Sequence, residues 1–137
     1  MIGLVIVAHE NLGESLIRCV THVLGSRPPN VESLTIGSHD EAFNLLPQAK
    51  KLIASVDRGE GVLVLTDIYG ATPANLACKL MVPGRVDVVT GVSLPMLVRA
   101  LTYREKSLAT MVSKAVSGGR DGVLHVERSS LHATARS

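Results

Sequence analysis

Three runs dominated by Val, Ile and Leu, each leading into a segment of helical period, leave this chain few ways to fold. They occupy residues 2–8, 62–66 and 86–90. A strand without a polar face must be covered on both sides, as happens in a parallel sheet held between two layers of helices. Residues 31–36 supply a fourth strand of more alternating character. The first intervening segment, 12–24, places Leu12, Leu16, Cys19, Val20, Val23 and Leu24 at steps of three and four, so it predicts a helix, stopped by Gly25. A second helix is expected from about Asp40, its candidate N-cap, to about Gly59. Pro47 inside it removes a hydrogen bond and predicts a kink or restart. Helices over 73–81 and 95–103 begin with proline in the first turn, and Pro83-Gly84 closes the former. A fifth, over 108–116, is expected to stop at Gly118-Gly119, followed by a short strand over 122–126 and a frayed tail over 127–137.

Strand and helix alternate, which demands right-handed crossovers and a mostly parallel sheet with helices on both faces. The expected architecture is a single α/β domain over residues 1–126 with the flavodoxin-like strand order 2-1-3-4. At 137 residues and 46% hydrophobic content, the chain suits one compact core and excludes two domains. Charged residues are 19% and the net charge is +2, which disfavours disorder and general nucleic-acid binding. Only Phe43, Tyr69 and Tyr103 are aromatic, too few for a base-stacking platform. The basic bias is local: residues 99–137 hold seven Lys/Arg against three Asp/Glu. Cys19 and Cys78 lie in apolar helical patterns without a CxxC partner, so both are expected as buried thiols. The opening apolar run is too short for a signal peptide or a membrane span, and a cytoplasmic location without membrane insertion is expected.

In the order 2-1-3-4, the carboxyl ends of strands one and three border the crevice where open α/β sheets bind ligands. Strand one ends at Ala8-His9-Glu10 and strand three at Thr66-Asp67. A carboxylate accepting from one imidazole nitrogen fixes the tautomer and leaves the other nitrogen as a nucleophile. Gly70, Ala71 and Thr72 then lead into a helix amino terminus, where unpaired N–H groups suit an anion. A nucleophilic imidazole beside an anion cradle suggests a histidine that carries phosphate. The loop lacks the GxxxxGK[ST] pattern of nucleotide sites, and neither a metal nor a cofactor is expected. His22, His39, His125 and His132 are read as structural or solvated. An ordinary strand-to-helix turn beside a rim histidine also satisfies this spacing.

Three ordered motifs go further: Val7-Ala8-His9, Leu65-Thr66-Asp67-Ile68-Tyr69-Gly70-Ala71-Thr72-Pro73-Ala74-Asn75, and Thr90-Gly91-Val92-Ser93-Leu94-Pro95-Met96-Leu97. Together they resemble the enzyme IIA domain of the mannose/fructose-type bacterial sugar phosphotransferase system, nearly to residue 126. The resemblance implies that His9 accepts a phosphoryl group from the histidine phosphocarrier protein and passes it to a IIB component. It implies that Asp67 orients His9, that Gly70, Ala71 and Thr72 receive the phosphate oxygens, and that Tyr69, Ser93 and Met96 form the rim or docking surface. It further implies a homodimer, with the 122–126 strand a candidate for exchange between subunits. The chain departs from the family pattern at Glu10, where glycine is common, at Ala71-Thr72, where Gly-Ser is frequent, and at Ser93, where Asn is frequent. With no IIB domain in 137 residues, delivery to sugar needs a separate partner. Open alternatives are a regulatory protein read through His9 phosphorylation, the phosphoryl donor of a dihydroxyacetone kinase, and an aspartyl-phosphate receiver using Asp67.

Overall fold

The computed structural model describes residues 1–128. Nine elements follow one another: β1 (Gly3–His9), α1 (Leu12–Leu24), β2 (Val31–Ile36), α2 (Ala42–Val56), β3 (Val62–Thr66), α3 (Thr72–Cys78), β4 (Val86–Thr90), α4 (Leu94–Thr102) and α5 (Leu108–Asp121). The strands form one parallel sheet in the order β2-β1-β3-β4, as the alternation of aliphatic runs and helices predicts.

The two-residue period of the strands divides the core into two layers. Ile2, Leu4, Ile6, Leu63 and Leu65 pack with Ile17 and Val20 of α1, Leu97 of α4 and Met111 of α5. Val5, Val7, Val62 and Val64 face the other way, onto Ala49 and Val56 of α2 and Leu76 and Ala77 of α3. Every residue of β3 is buried, so its unbroken aliphatic sequence has no face to offer water.

Several sequence expectations need correction. The buried stripe of α1 is Gly13, Ile17 and Val20, while Leu12, Val23 and Leu24 remain exposed. Gly13 decides this, since a Cβ there would stand 3.0 Å from Ser33 Cβ and 3.3 Å from Ile6. The helix axis approaches the sheet along the line of its smallest residue. Cys19 therefore falls on the outer surface, and Cys78 is exposed at the end of α3; neither is a buried thiol.

No restart occurs in α2, which runs unbroken through an exposed Pro47 in its second turn. Its N-cap is Glu41, and the Asp40 carboxylate accepts instead from Gly37 N–H at 2.7 Å. At the other end α3 stops at Cys78, and the three-residue bonds of Lys79 and Leu80 carry the turn on. Instead of stopping at Gly118-Gly119, α5 continues to Asp121. The 122–126 segment is not a strand: its residues are exposed, and its hydrogen bonds from Gly122 N–H to Gly118 O and Val123 N–H to Arg120 O only close the end of α5. Residues 129–137 of the expected tail lie outside the described residues. Among the described residues, no helix is long and apolar enough to cross a membrane.

Candidate functional site

Parallel pairing aligns the carboxyl ends of β1 and β3. Val7 lies opposite Thr66, so the strands deliver His9 and Asp67 to the same edge. Asp67 Oδ2 accepts from His9 N–H at 2.9 Å and lies 2.7 Å from His9 Nδ1, while Oδ1 accepts from Ile68 N–H at 2.8 Å. An ionised carboxylate only accepts, so the bond to Nδ1 places the proton on that nitrogen. His9 Nε2 keeps its lone pair and has no hydrogen-bond partner among the described residues. The His9 side chain is 45% exposed and that of Asp67 13%, which leaves the ring accessible and its anchor sheltered.

Asp67 feels opposing influences. Burial pushes its pKa up, but the N–H groups of His9 and Ile68 and the His9 imidazole together outweigh it and hold the carboxyl below its ordinary value. The anchor is held from the opposite side too. Gly91 N–H donates to Asp67 O and Val92 N–H to Thr66 O, both at 3.0 Å, tying the β4–α4 loop to the end of β3. This tie was not singled out from sequence; its signal is the glycine after β4, which turns at φ +79°.

Glu10 adopts φ +50°, left-handed and unfavourable for a side chain. Its N–H donates to Ile36 O at 3.0 Å, continuing the β1–β2 ladder by one bond as the chain turns into α1. Thus the position calls for glycine on backbone grounds alone.

Gly70 turns at φ +88°, with open space where a Cβ would stand. Ala71 is the N-cap of α3 and offers no capping side chain, so the first-turn N–H groups keep their outward bonding capacity. Half-buried Thr72 begins the helix. At the rim, Tyr69 is 80% and Ile68 60% exposed. The other two expected rim residues behave differently. Met96 is 4% exposed and belongs to the core beneath α4. Ser93 caps α4, its hydroxyl accepting from Met96 N–H at 3.3 Å. His22, His39 and His125 are exposed, His39 three residues beyond the carboxyl end of β2, and none of the three bonds to His9 or Asp67, while His132 lies outside the described residues.

Residues 3–117 match the family described as PTS system fructose IIA component, EIIA-man. The PTS system mannose-specific EIIAB component of Escherichia coli is 33% identical over 125 residues, spanning 89% of this chain and 38% of that protein. The chain thus spans well under half the length of that relative. Two solved structures share the fold. Phosphotransferase system component EIIA from Streptococcus agalactiae superposes with a TM-score of 0.80 at 22% identity, covering 91% of this chain and 97% of that one. The mannose/sorbose specific IIA subunit from Enterococcus faecalis gives 0.81 at 18% identity, covering 92% and 95%. With a family match across both strand ends that carry His9 and Asp67, this chain belongs to the mannose/fructose-type IIA components of the phosphotransferase system.

Proposed function

We propose that the protein is a cytoplasmic phosphocarrier whose His9 Nε2 takes a phosphoryl group from the histidine phosphocarrier protein and yields it to a IIB component. The observation that carries this reading is the 2.7 Å contact between His9 Nδ1 and Asp67, which leaves Nε2 as the nucleophile. In the transfer, a new P–Nε2 bond forms as the donor's P–N bond breaks, and no proton has to move from Nε2. The ring becomes more cationic as the bond forms, and the Asp67 carboxylate stabilises that charge at Nδ1. Gly70, Ala71 and Thr72 receive the phosphate oxygens, while exposed Ile68 and Tyr69 meet the partner proteins. Asp67 is poorly placed as the phosphoryl acceptor itself, because N–H groups already occupy both its oxygens. A homodimer also fits: β4 is an edge strand, and Val123, Leu124 and Val126 are exposed apolar residues.

Incubation with phosphoenolpyruvate, enzyme I and the histidine phosphocarrier protein should place acid-labile, alkali-stable phosphate on the wild type and none on His9→Ala. Label retained by that variant, or acid-stable label, overturns the reading. Onward transfer to a IIB component, rather than to a dihydroxyacetone kinase or a regulatory target alone, identifies the acceptor.

A further inference from the structure

Thr66 is the last residue of β3, fully buried, and its Oγ1 has no hydrogen-bond partner. Buried hydroxyls are nearly always satisfied, because an orphaned one has given up water for nothing. Its location gives the exception meaning. On β3, Val62 and Val64 point towards α2 and α3, and the two-residue alternation carries Thr66 to the same side. On β1, Val5 and Val7 face that side as well, and alternation carries His9 there. Thr66 lies opposite Val7, so His9 stands diagonally across on the neighbouring strand, two residues further along. Strand spacing and rise put such diagonal Cα atoms about 8 Å apart, within the combined reach of an imidazole and a hydroxyl. The α3 segment, which follows the Gly70–Thr72 loop, packs on this same face through Leu76 and Ala77. The orphaned hydroxyl therefore lies under the His9 edge of the sheet.

The backbone of Thr66 is held in place. Its strand pairs with β1 and β4, and its carbonyl accepts from Val92 N–H. Asp67, the adjacent acceptor, is engaged by His9 N–H and Nδ1 at Oδ2 and by Ile68 N–H at Oδ1, and Thr66 Oγ1 bonds to neither oxygen. What changes at this edge, if His9 is the phosphoryl acceptor, is the arrival of a dianionic group with three acceptor oxygens. We propose that the Thr66 hydroxyl is a phosphate-state donor: unpaired while His9 is bare, it donates to the phosphohistidine from within the core, directly or through one buried water. It thereby favours the phosphorylated protein without adding to the stability of the bare one. This rests on the phosphocarrier reading and adds a residue to it.

Thr66→Val keeps the shape and removes the hydroxyl; Thr66→Ala removes it with a smaller side chain, and Thr66→Ser retains it. Each is equilibrated with the phosphorylated histidine phosphocarrier protein, and the phosphohistidine fraction is read by phosphorus NMR beside a thermal melt of the bare protein. Charge-assisted hydrogen bonds are the strong ones, so Thr66→Val and Thr66→Ala should lower the phosphorylation equilibrium constant about tenfold. Thr66→Val should melt no lower than wild type, and Thr66→Ser should recover phosphorylation and the wild-type phosphorus shift. If wild type takes phosphate on His9 and both hydroxyl-free variants match it in extent and shift, the Thr66 role is overturned while the phosphocarrier reading stands. If wild type takes none, both fall.

Discussion

At the scale of single residues, the site is built from short-range contacts whose consequences are separable. Asp67 is held ionised by the N–H groups and imidazole around it, against the opposing effect of burial. Its folded pKa lies below the unfolded value, so the stability it contributes is present above the ordinary carboxyl range and disappears as pH falls through the folded pKa. In thermal melts from pH 6 to pH 3, the gap between wild type and Asp67→Asn should be widest near pH 6 and close below about pH 4. A gap that stays constant across that range would show that Asp67 is not stabilised as an anion. Glu10 makes a different contribution. A left-handed backbone costs an L-residue about 1 to 2 kcal/mol, of which glycine's greater unfolded freedom takes back about 0.4 to 1. Glu10→Gly should therefore raise stability by about 0.5 to 1 kcal/mol in denaturant titrations, and an unchanged midpoint would show that φ +50° carries no strain here.

At the scale of elements, the strands were legible because aliphatic runs without a polar face have one satisfactory environment. The crossover rules fixed a parallel sheet but not its order; the flavodoxin-like order 2-1-3-4 was an expectation the structure bears out, and the meeting of His9 with Asp67 followed from it. Helix surfaces were less legible. Of the apolar steps in α1, Val20 is buried and Leu16 packs against the core, but Leu12, Cys19, Val23 and Leu24 lie outside it, because close approach at Gly13 turned the helix onto Ile17 and Val20. Met96 was misplaced for a similar reason: neighbours in a motif can have opposite surroundings when a helix begins between them, and half-buried Ser93 caps α4 while Met96 three residues on enters the core. The glycines of α5 show the same limit. Read as a stop, they are contact points: a Cβ on Gly118 would stand 2.8 Å from Arg99 Cβ and 3.2 Å from Pro95 O, so they let α5 press against α4. Helix propensity alone makes Gly118→Ala stabilising by about 1 kcal/mol, whereas overpacking costs about 1 to 3 kcal/mol. The contact should win, and the variant should melt below wild type; a higher melting temperature would return Gly118 to the role of a helix weakener.

At the scale of the whole molecule, the sheet ends at β4, the edge strand of the order β2-β1-β3-β4. Beside β4 runs a groove of about 550 Å³ lined by Val88, Val89, Met96, Val112 and Val116, with Val123 at its border. The isolated bridge from Val82 meets β4 only at Val86, so among the described residues most of that outer edge has no strand beside it. An unpaired edge invites another strand, and natural proteins usually cover it. The exposed apolar residues of 123–126 are the segment of this chain suited to that pairing, as the expected exchange of a 122–126 strand has it, and a strand there would exist only with a partner. In the proposed homodimer, each subunit supplies this segment to the other's β4, an exchange that a two-fold axis closes without leaving a free end. Leu124→Asp places a charge in that contact while leaving the described core untouched, since Leu124 is 77% exposed in the single chain. Sedimentation equilibrium should find wild type as a dimer and Leu124→Asp as a folded monomer with an unchanged circular dichroism spectrum. A monomeric wild type would remove the homodimer altogether, and a variant that remains dimeric would move the interface away from this segment.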